Sequence, residues 1–434
     1  MRSARGVTLI DTVVGVALLL LVFVGISAVF RLSIDVVTNN KARAGAIALA
    51  DQRMEYIRSL TYPSVGTQGG IPTGLIAPSE SISLNGVSYT RRTVVTYADD
   101  PKDGIDASDS NGVTEDYKAV KVDVAWTSRL GGTRHVDLVA RVSPPTSAGE
   151  TNPCASSCGT LSINVVNASN KALAGASVTI TNSTSNPAVN FNTFTNANGT
   201  VTLLAAPASA GYGVVVTNTG YSTDQTGTGA NASRLPLTVS NNLTTSATFQ
   251  IDGLSSMAVV TYQYGTLLPI TSVPFSIHGA KTTSSNPVTY KYSATLGGTG
   301  SPATTISNLE WDTYTFAVAA ATGYDLAYSC GPQPIALSPN TATTTYLYLA
   351  THTSNSLAVK VSASADSGLI GGASVRLFKS GYDTTQITDS CGQTFFSGLS
   401  SGTYTLSVSA SGHTTFTNAN LSVASSTQSQ VSLN

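Results

Sequence analysis

The hydrophobic pattern opens on an uninterrupted apolar run, Val13 to Phe30, 18 residues without a charge. At 1.5 Å per helical residue that run is close to the thickness of a hydrocarbon core. Leu, Ile, Phe and Val fill 13 of its positions. Those side chains favour insertion by about 4–8 kcal/mol, against at most about 3 kcal/mol for Asp11. Ile47, Leu49, Ala50, Met54 and Ile57 then recur at three- and four-residue steps among polar neighbours, an amphipathic helical pattern. Tyr62-Pro63 stops it, because proline disfavours helical geometry in the residue before it. The spacing predicts one helix over 7–60, about 80 Å long, apolar all round in its first half and one-sided in its second.

After a glycine-rich stretch, Gly66 to Gly74, the period becomes two. Ile82 to Tyr89 reads as a hairpin turning at Asn85-Gly86, the pair that accepts positive φ. Thr93 to Tyr97 continues as strand. Val120, Val122, Val124 and Trp126 alternate with polar residues, as do Val136 and Leu138. Their apolar face is the natural partner of the Ile47–Ile57 stripe, so residues 61–147 are expected to place a small antiparallel sheet against the helix.

A Pro/Ser/Thr/Gly-rich stretch running from Ser143 through Ser157 reads as a linker, bounded at 148–158. Beyond it the chain repeats with a period of about 90–100 residues, the size of a domain. Leu161-Ser-Ile-Asn-Val165 and Gly175-Ala-Ser-Val178 answer Leu357-Ala-Val-Lys-Val361 and Gly372-Ala-Ser-Val375. Thr195-Asn-Ala-Asn-Gly199 answers Thr388-Asp-Ser-Cys-Gly392, and Gly211-Tyr212 answers Gly402-Thr-Tyr404. The middle repeat is the most diverged, but Leu309, Tyr314 and Gly323-Tyr324 keep the same order. Short alternating strands with frequent turns predict all-β sandwiches of about seven strands each, over 159–251, 252–352 and 353–434.

Composition agrees with this division. Only 10% of residues are charged, and residues 150–434 hold 7 of the 22 Lys+Arg and 9 of the 23 Asp+Glu. A formal net charge of −1 gives no footprint for nucleic acid. The four histidines (His135, His278, His352, His413) stand at no telling distance from an acid or a nucleophile, and no catalytic motif is present, so no enzyme activity is expected. Cys154 and Cys158 lie four apart and suggest a local bridge. Cys330 and Cys391 fall in different repeats and could staple them, while free buried thiols are the alternative.

The N-terminus resembles the class III signal of type IV pilins and type II secretion pseudopilins: Arg2 and Arg5, then Gly6, Val7, Thr8, Leu9, Ile10 and Asp11 ahead of the apolar run. The resemblance implies cleavage by a prepilin peptidase between Gly6 and Val7 and methylation of the Val7 amine. Asp11 would be the acid that pairs with a Val7 amine in assembly. The family usually has Glu at the position of Asp11, and its major subunits often have proline where Ala28 stands, which points to a minor subunit. The body resembles the minor pseudopilin I and PilV-type group. The repeats resemble carboxypeptidase-regulatory-like and Cna-B-like immunoglobulin-type modules.

The implied fold class is therefore an α+β pilin, a long helix on a small sheet, followed by all-β immunoglobulin-like modules. The implied protein is a single-pass minor type IV pilin-like surface protein. Its N-terminus would be cytoplasmic, and its modules would bind an unidentified surface ligand or partner. Implied partners are prepilin peptidase, other pilin or pseudopilin subunits, an inner-membrane assembly platform and membrane lipid. The alternatives are a pseudopilin of a type II secretion or DNA-uptake machine, and a membrane-anchored adhesin outside any filament. Some pseudopilins hold calcium in an acidic loop, and Asp99, Asp100, Asp103, Asp106 and Asp109 form such a loop here. A solvated loop is the alternative, since the spacing does not fit a twelve-residue EF-hand. Cna-B modules often carry a Lys–Asn isopeptide bond assisted by an acid. Lys360 with Asn418 or Asn420 has the right strand order, but the third repeat contains no Glu.

Overall fold

The computed structural model describes residues 9–100, 102, 115–128, 131–146, 157–298 and 300–434. One helix, α1 (Leu9–Ser59), runs for 51 residues, about 76 Å. It stops ahead of a short 3₁₀ turn, Tyr62–Ser64, that carries Pro63. Four strands follow: β1 (Ser79–Leu84), β2 (Val87–Ala98), β3 (Tyr117–Thr127) and β4 (Thr133–Val142). They form an antiparallel meander in the order β1-β2-β3-β4. The β1–β2 hairpin turns at Asn85 (φ 54°) and Gly86 (φ 77°), the left-handed pair that matches strand twist.

The alternation on β3 buries Val120, Val122, Val124 and Trp126 against Ala42, Ala46, Leu49, Ala50, Met54 and Ile57 of α1. Small residues bring the helix close to the sheet. A Cβ on Gly45 would lie 2.6 Å from the Tyr89 hydroxyl, and that hydroxyl donates to the Ala42 carbonyl at 2.9 Å. Ile47 does not belong to this stripe: it is 39% exposed. The buried positions step through 42, 46, 49, 50, 53, 54 and 57, and position 47 falls outside that face.

The modules beyond are two-sheet sandwiches. In the first, the sheet Thr244–Gln250, Cys158–Val166, Thr200–Pro207 faces a second one built on Ser177–Asn182, Val189–Phe194 and Ser209–Thr217. Cys158, placed in the linker by sequence, is the first residue of a strand. The third module has seven strands in sheets of three and four. The second adds a hairpin, Thr282–Ser285 with Val288–Tyr290. In all three modules the first and last strands lie side by side and parallel: Cys158–Val166 with Thr244–Gln250, Ser255–Gln263 with Ala342–Thr351, and Ser356–Ala363 with Ser426–Leu433.

The repeated sequence elements have repeated chemistry. Thr195 Oγ1 accepts from the Ala176 amide and donates to the Leu173 carbonyl, and Thr388 does the same to Ala373 and Ile370. Asn196 and Asp389 each accept two amides of their own turn. Gly199 (φ 72°) and Gly392 (φ 66°) complete those turns, and a Cβ there would lie 2.6 and 2.7 Å from the carbonyls of Val165 and Val361. Tyr212, Tyr314 and Tyr404 are fully buried. Each donates its hydroxyl to a carbonyl four or five residues upstream, on Pro207, Glu310 and Ser400, at 2.7–2.8 Å. Such tyrosine corners fix the turn entering the strand.

Neighbouring units are fused rather than strung. Ile71 of the helix-bearing unit is buried in the core of the first module, where Val94 and Tyr97 also pack, and Gly69 O accepts the Asn190 amide at 2.7 Å. Between the first and second modules, buried Asp252 accepts the Ala168 amide at 3.0 Å while its carbonyl accepts Ser222 N at 2.8 Å.

Candidate functional site

Two features of α1 define the candidate site: an apolar stem without a covering, and a base locked to the sheet. Along 13–37 the large apolar side chains point outward on every side, Leu21 being 72% exposed. A surface of that size in water would be strongly unfavourable, so the stem is built for lipid or for other apolar helices.

The base is held by charge as well as packing. Arg53 sits on the buried stripe and is 6% exposed. Its guanidinium meets the Glu80 carboxylate. Arg91, opposite Glu80 in the β1–β2 ladder, donates to the same oxygen through Nε at 3.1 Å and Nη2 at 2.9 Å. Arg91 also reaches back to the helix, donating to the Leu49 carbonyl at 3.0 Å and Gln52 Oε1 at 3.2 Å. One carboxylate thus ties two buried guanidinium groups, and burial lowers both of their pKa values, with repulsion from Arg91 adding to the effect on Arg53. At the lower end of the helix Lys118, 3% exposed, donates to the carbonyls of Tyr62 and Val65 at 2.8 and 2.7 Å. Burial brings its pKa down to about 8. The sequence reading missed this cluster. Its one signal is an arginine at position 53, within the three- and four-residue steps of the apolar stripe.

The sequence-predicted sites are distributed as follows. Gly6 and Val7 lie outside the described residues. Asp11 is on α1, and its side chain is outside the description. Of the acidic loop, Asp99 and Asp100 are described, while Asp103, Asp106 and Asp109 are not. The Asp100 amide donates to the Asp116 carboxylate. Among the described residues no three acids, histidines or cysteines are grouped to hold a metal. Cys158 is disulfide-bonded, and Cys154 is outside the described residues.

Cys330 and Cys391 are joined, with Cα atoms 5.7 Å apart and a sequence separation of 61. The bridge crosses the junction of the second and third modules. Around it the Gln393 amide donates to Ser329 O at 2.6 Å and Tyr264 OH donates to Gln386 Oε1 at 2.8 Å. Phe395 packs with Ala327 and Ala350. The contact of His352 Nδ1 with Asp325 Oδ1, 2.7 Å, belongs to the same junction. The isopeptide geometry is absent. Lys360 pairs in register with Gln393 and Gln430 in the three-stranded sheet, between core residues Val359 and Val361, so its side chain points away from the facing sheet. Asn418 and Asn420 lie on the strand Phe416–Val423 of that facing sheet.

No family model and no curated protein matches the chain. Among solved structures it is similar to the Bacillus anthracis TIE protein, at 13% identity and TM-score 0.20 over 83% of this chain and 73% of that one. It is similar to GBS52, the minor pilin of Streptococcus agalactiae, at 15% identity and TM-score 0.25 over 45% and 97%. It is also similar to BcpA, the major pilin subunit of Bacillus cereus, at 10% identity and TM-score 0.15 over 64% and 99%. Likenesses this loose carry no functional reading, and the chain's own geometry has to supply one.

Proposed function

We propose that this is a minor, type IV pilin-like surface protein, anchored and assembled through its N-terminal helix and displaying its β-modules for adhesion or partner binding. The observation that supports this reading is the division of one continuous helix into a bare apolar stem and a base locked onto a sheet. The stem is stable in lipid or against other apolar helices, and the locked base holds the modules at a set distance from it. In this reading a prepilin peptidase cuts between Gly6 and Val7, the Val7 amine is methylated, and Asp11 neutralises a Val7 amine of its own or a neighbouring subunit. Pairing the two charges makes correct register cheaper than misregister in a low-dielectric setting. Other pilin subunits, the assembly platform and membrane lipid are the partners, and Arg2 and Arg5 keep the N-terminus cytoplasmic.

Mass spectrometry of the mature protein tests the reading. The expected product begins at N-methylated Val7. A product that begins at Met1, or that is severed beyond Phe30, overturns it.

A further inference from the structure

The first and second modules enclose a cleft of about 620 Å³ between them. We propose that this cleft is a binding site for a neutral saccharide, which gives the adhesion reading above its ligand class and rests on that reading. Its size suits a sugar or two, and inter-domain clefts are where such sites concentrate.

The walls carry polar heads already fixed in place. Arg234 donates to the Thr248 carbonyl at 2.9 Å and to Asp224 at 3.2 Å, with its guanidinium 4.4 Å over the Phe249 ring. Glu310 takes Lys281 at 2.7 Å and Lys291 at 2.5 Å on its two oxygens. Lys291 also crosses the junction to the Thr223 carbonyl. Lys281 lies 3.2 Å over the ring of Trp311, an indole at the cleft wall. Beyond the lining the two modules are also tied together where Asn231 of the first donates to Asn286 O at 2.8 Å and accepts Ser285 N at 2.9 Å. A site built this way loses little freedom when it is filled.

Charge decides the ligand class. Three cations (Arg234, Lys281, Lys291) line the cleft with two carboxylates, Asp224 and Glu310, and a third carboxylate, Asp312, stands behind the wall, its Oδ2 accepting the Lys281 amide at 2.9 Å. The balance is zero, so the cleft offers no net attraction to acidic glycans or phosphates. What remains is a rim of mixed donors and acceptors beside one aromatic ring. A sugar hydroxyl both donates and accepts, and a pyranose offers C–H bonds to the part of the Trp311 indole that Lys281 does not cover.

The test uses the full chain with Trp126→Phe, in a detergent without a sugar headgroup. Trp311 is then the remaining tryptophan, since the chain has 2. Its fluorescence is followed against lactose, cellobiose, N,N′-diacetylchitobiose and 3′-sialyllactose up to about 50 mM. The expected result is a saturable change with at least one neutral disaccharide, weakened about tenfold or more by Arg234→Gln. Saturation-transfer NMR on Trp311→Phe should show the same loss in protein whose thermal unfolding is unchanged. No saturable change with any of the three neutral sugars, response to 3′-sialyllactose alone, or binding undiminished in both variants overturns the proposal. The mature N-terminus is an independent measurement. A chain beginning at Val7 with an unresponsive cleft fails only the saccharide claim, whereas a sugar-binding chain beginning at Met1 fails only the filament reading.

Discussion

Replacing Glu80 with Gln isolates the charge that locks α1 to its sheet. The carboxylate is 33% exposed, but its partners Arg53 and Arg91 are 7% and 10% exposed. Removing the negative charge leaves two guanidinium groups buried side by side with nothing between them to neutralise either. Breaking a fully buried pair costs about 3–5 kcal/mol. Here Glu80 is open to water on one side, and Arg91 keeps its bonds to Leu49 O and Gln52. The cost should therefore fall below that range, at about 2–3 kcal/mol. Trp126 sits in the core under the helix, so in a Trp311→Phe background its fluorescence reports unfolding of this unit alone. The midpoint in urea should drop, and amide exchange over Leu49–Ile57 should speed up about 30- to 150-fold. Glu80→Met combined with Arg53→Met and Arg91→Met should recover most of the loss, because apolar replacement of a buried ion cluster is often neutral. A Glu80→Gln protein within about 0.5 kcal/mol of the parent would refute the lock. So would a triple variant less stable than the single one.

Lys118 sets a pH dependence in the same unit. Burial lowers its pKa from 10.5 to about 8, so between those values the unfolded chain binds a proton that the folded unit has released. Stability therefore rises with pH across that window, by up to about 3 kcal/mol. Burial raises Tyr97 to about 12, which acts in the opposite sense and removes stability above pH 10. Urea midpoints should climb from pH 8 toward pH 10 and then fall, and Lys118→Met should flatten the climb. Tyr212→Phe, Tyr314→Phe and Tyr404→Phe should each destabilise their own module by about 1–2 kcal/mol through loss of one buried hydrogen bond, read as a lower thermal midpoint for that module. Cys330→Ser with Cys391→Ser opens a link spanning 61 residues, worth about 4 kcal/mol in the loop-entropy account. Calorimetry should then resolve separate melting of the second and third modules.

The elements that were legible in the sequence are those in which neighbouring residues carry their own geometry. The 18-residue apolar run, the Asn85-Gly86 turn and the Thr-x-x-x-Gly turns at 195–199 and 388–392 each encode a local conformation, and the structure contains each of them. What was illegible depended on partners far away in the chain. Arg53 reads as a solvent-facing helix residue until Glu80 and Arg91 are brought across from two strands. Ile47 reads as core because it is apolar, yet the faces that pack are chosen by the alanines and Gly45, which admit Tyr89. The cleft between the first and second modules left no trace in sequence, because Arg234 stands in the first repeat and the adjacent pair Glu310-Trp311 in the second. The linker pattern says nothing of how the units on either side meet, and Ile71 and Gly69, far from it in sequence, fasten them together.

The parallel pairing of each module's first and last strands also has a mechanical consequence. A pull that enters at the start of Cys158–Val166 and leaves at the end of Thr244–Gln250 runs along a ladder whose two ends face opposite ways. Tension then shears every rung together instead of unzipping them in turn, so rupture requires the whole ladder to yield within one event. The second module, with Ser255–Gln263 beside Ala342–Thr351, repeats the arrangement. The third, with Ser356–Ala363 beside Ser426–Leu433, does so too, and under tension each module would yield only once that ladder shears.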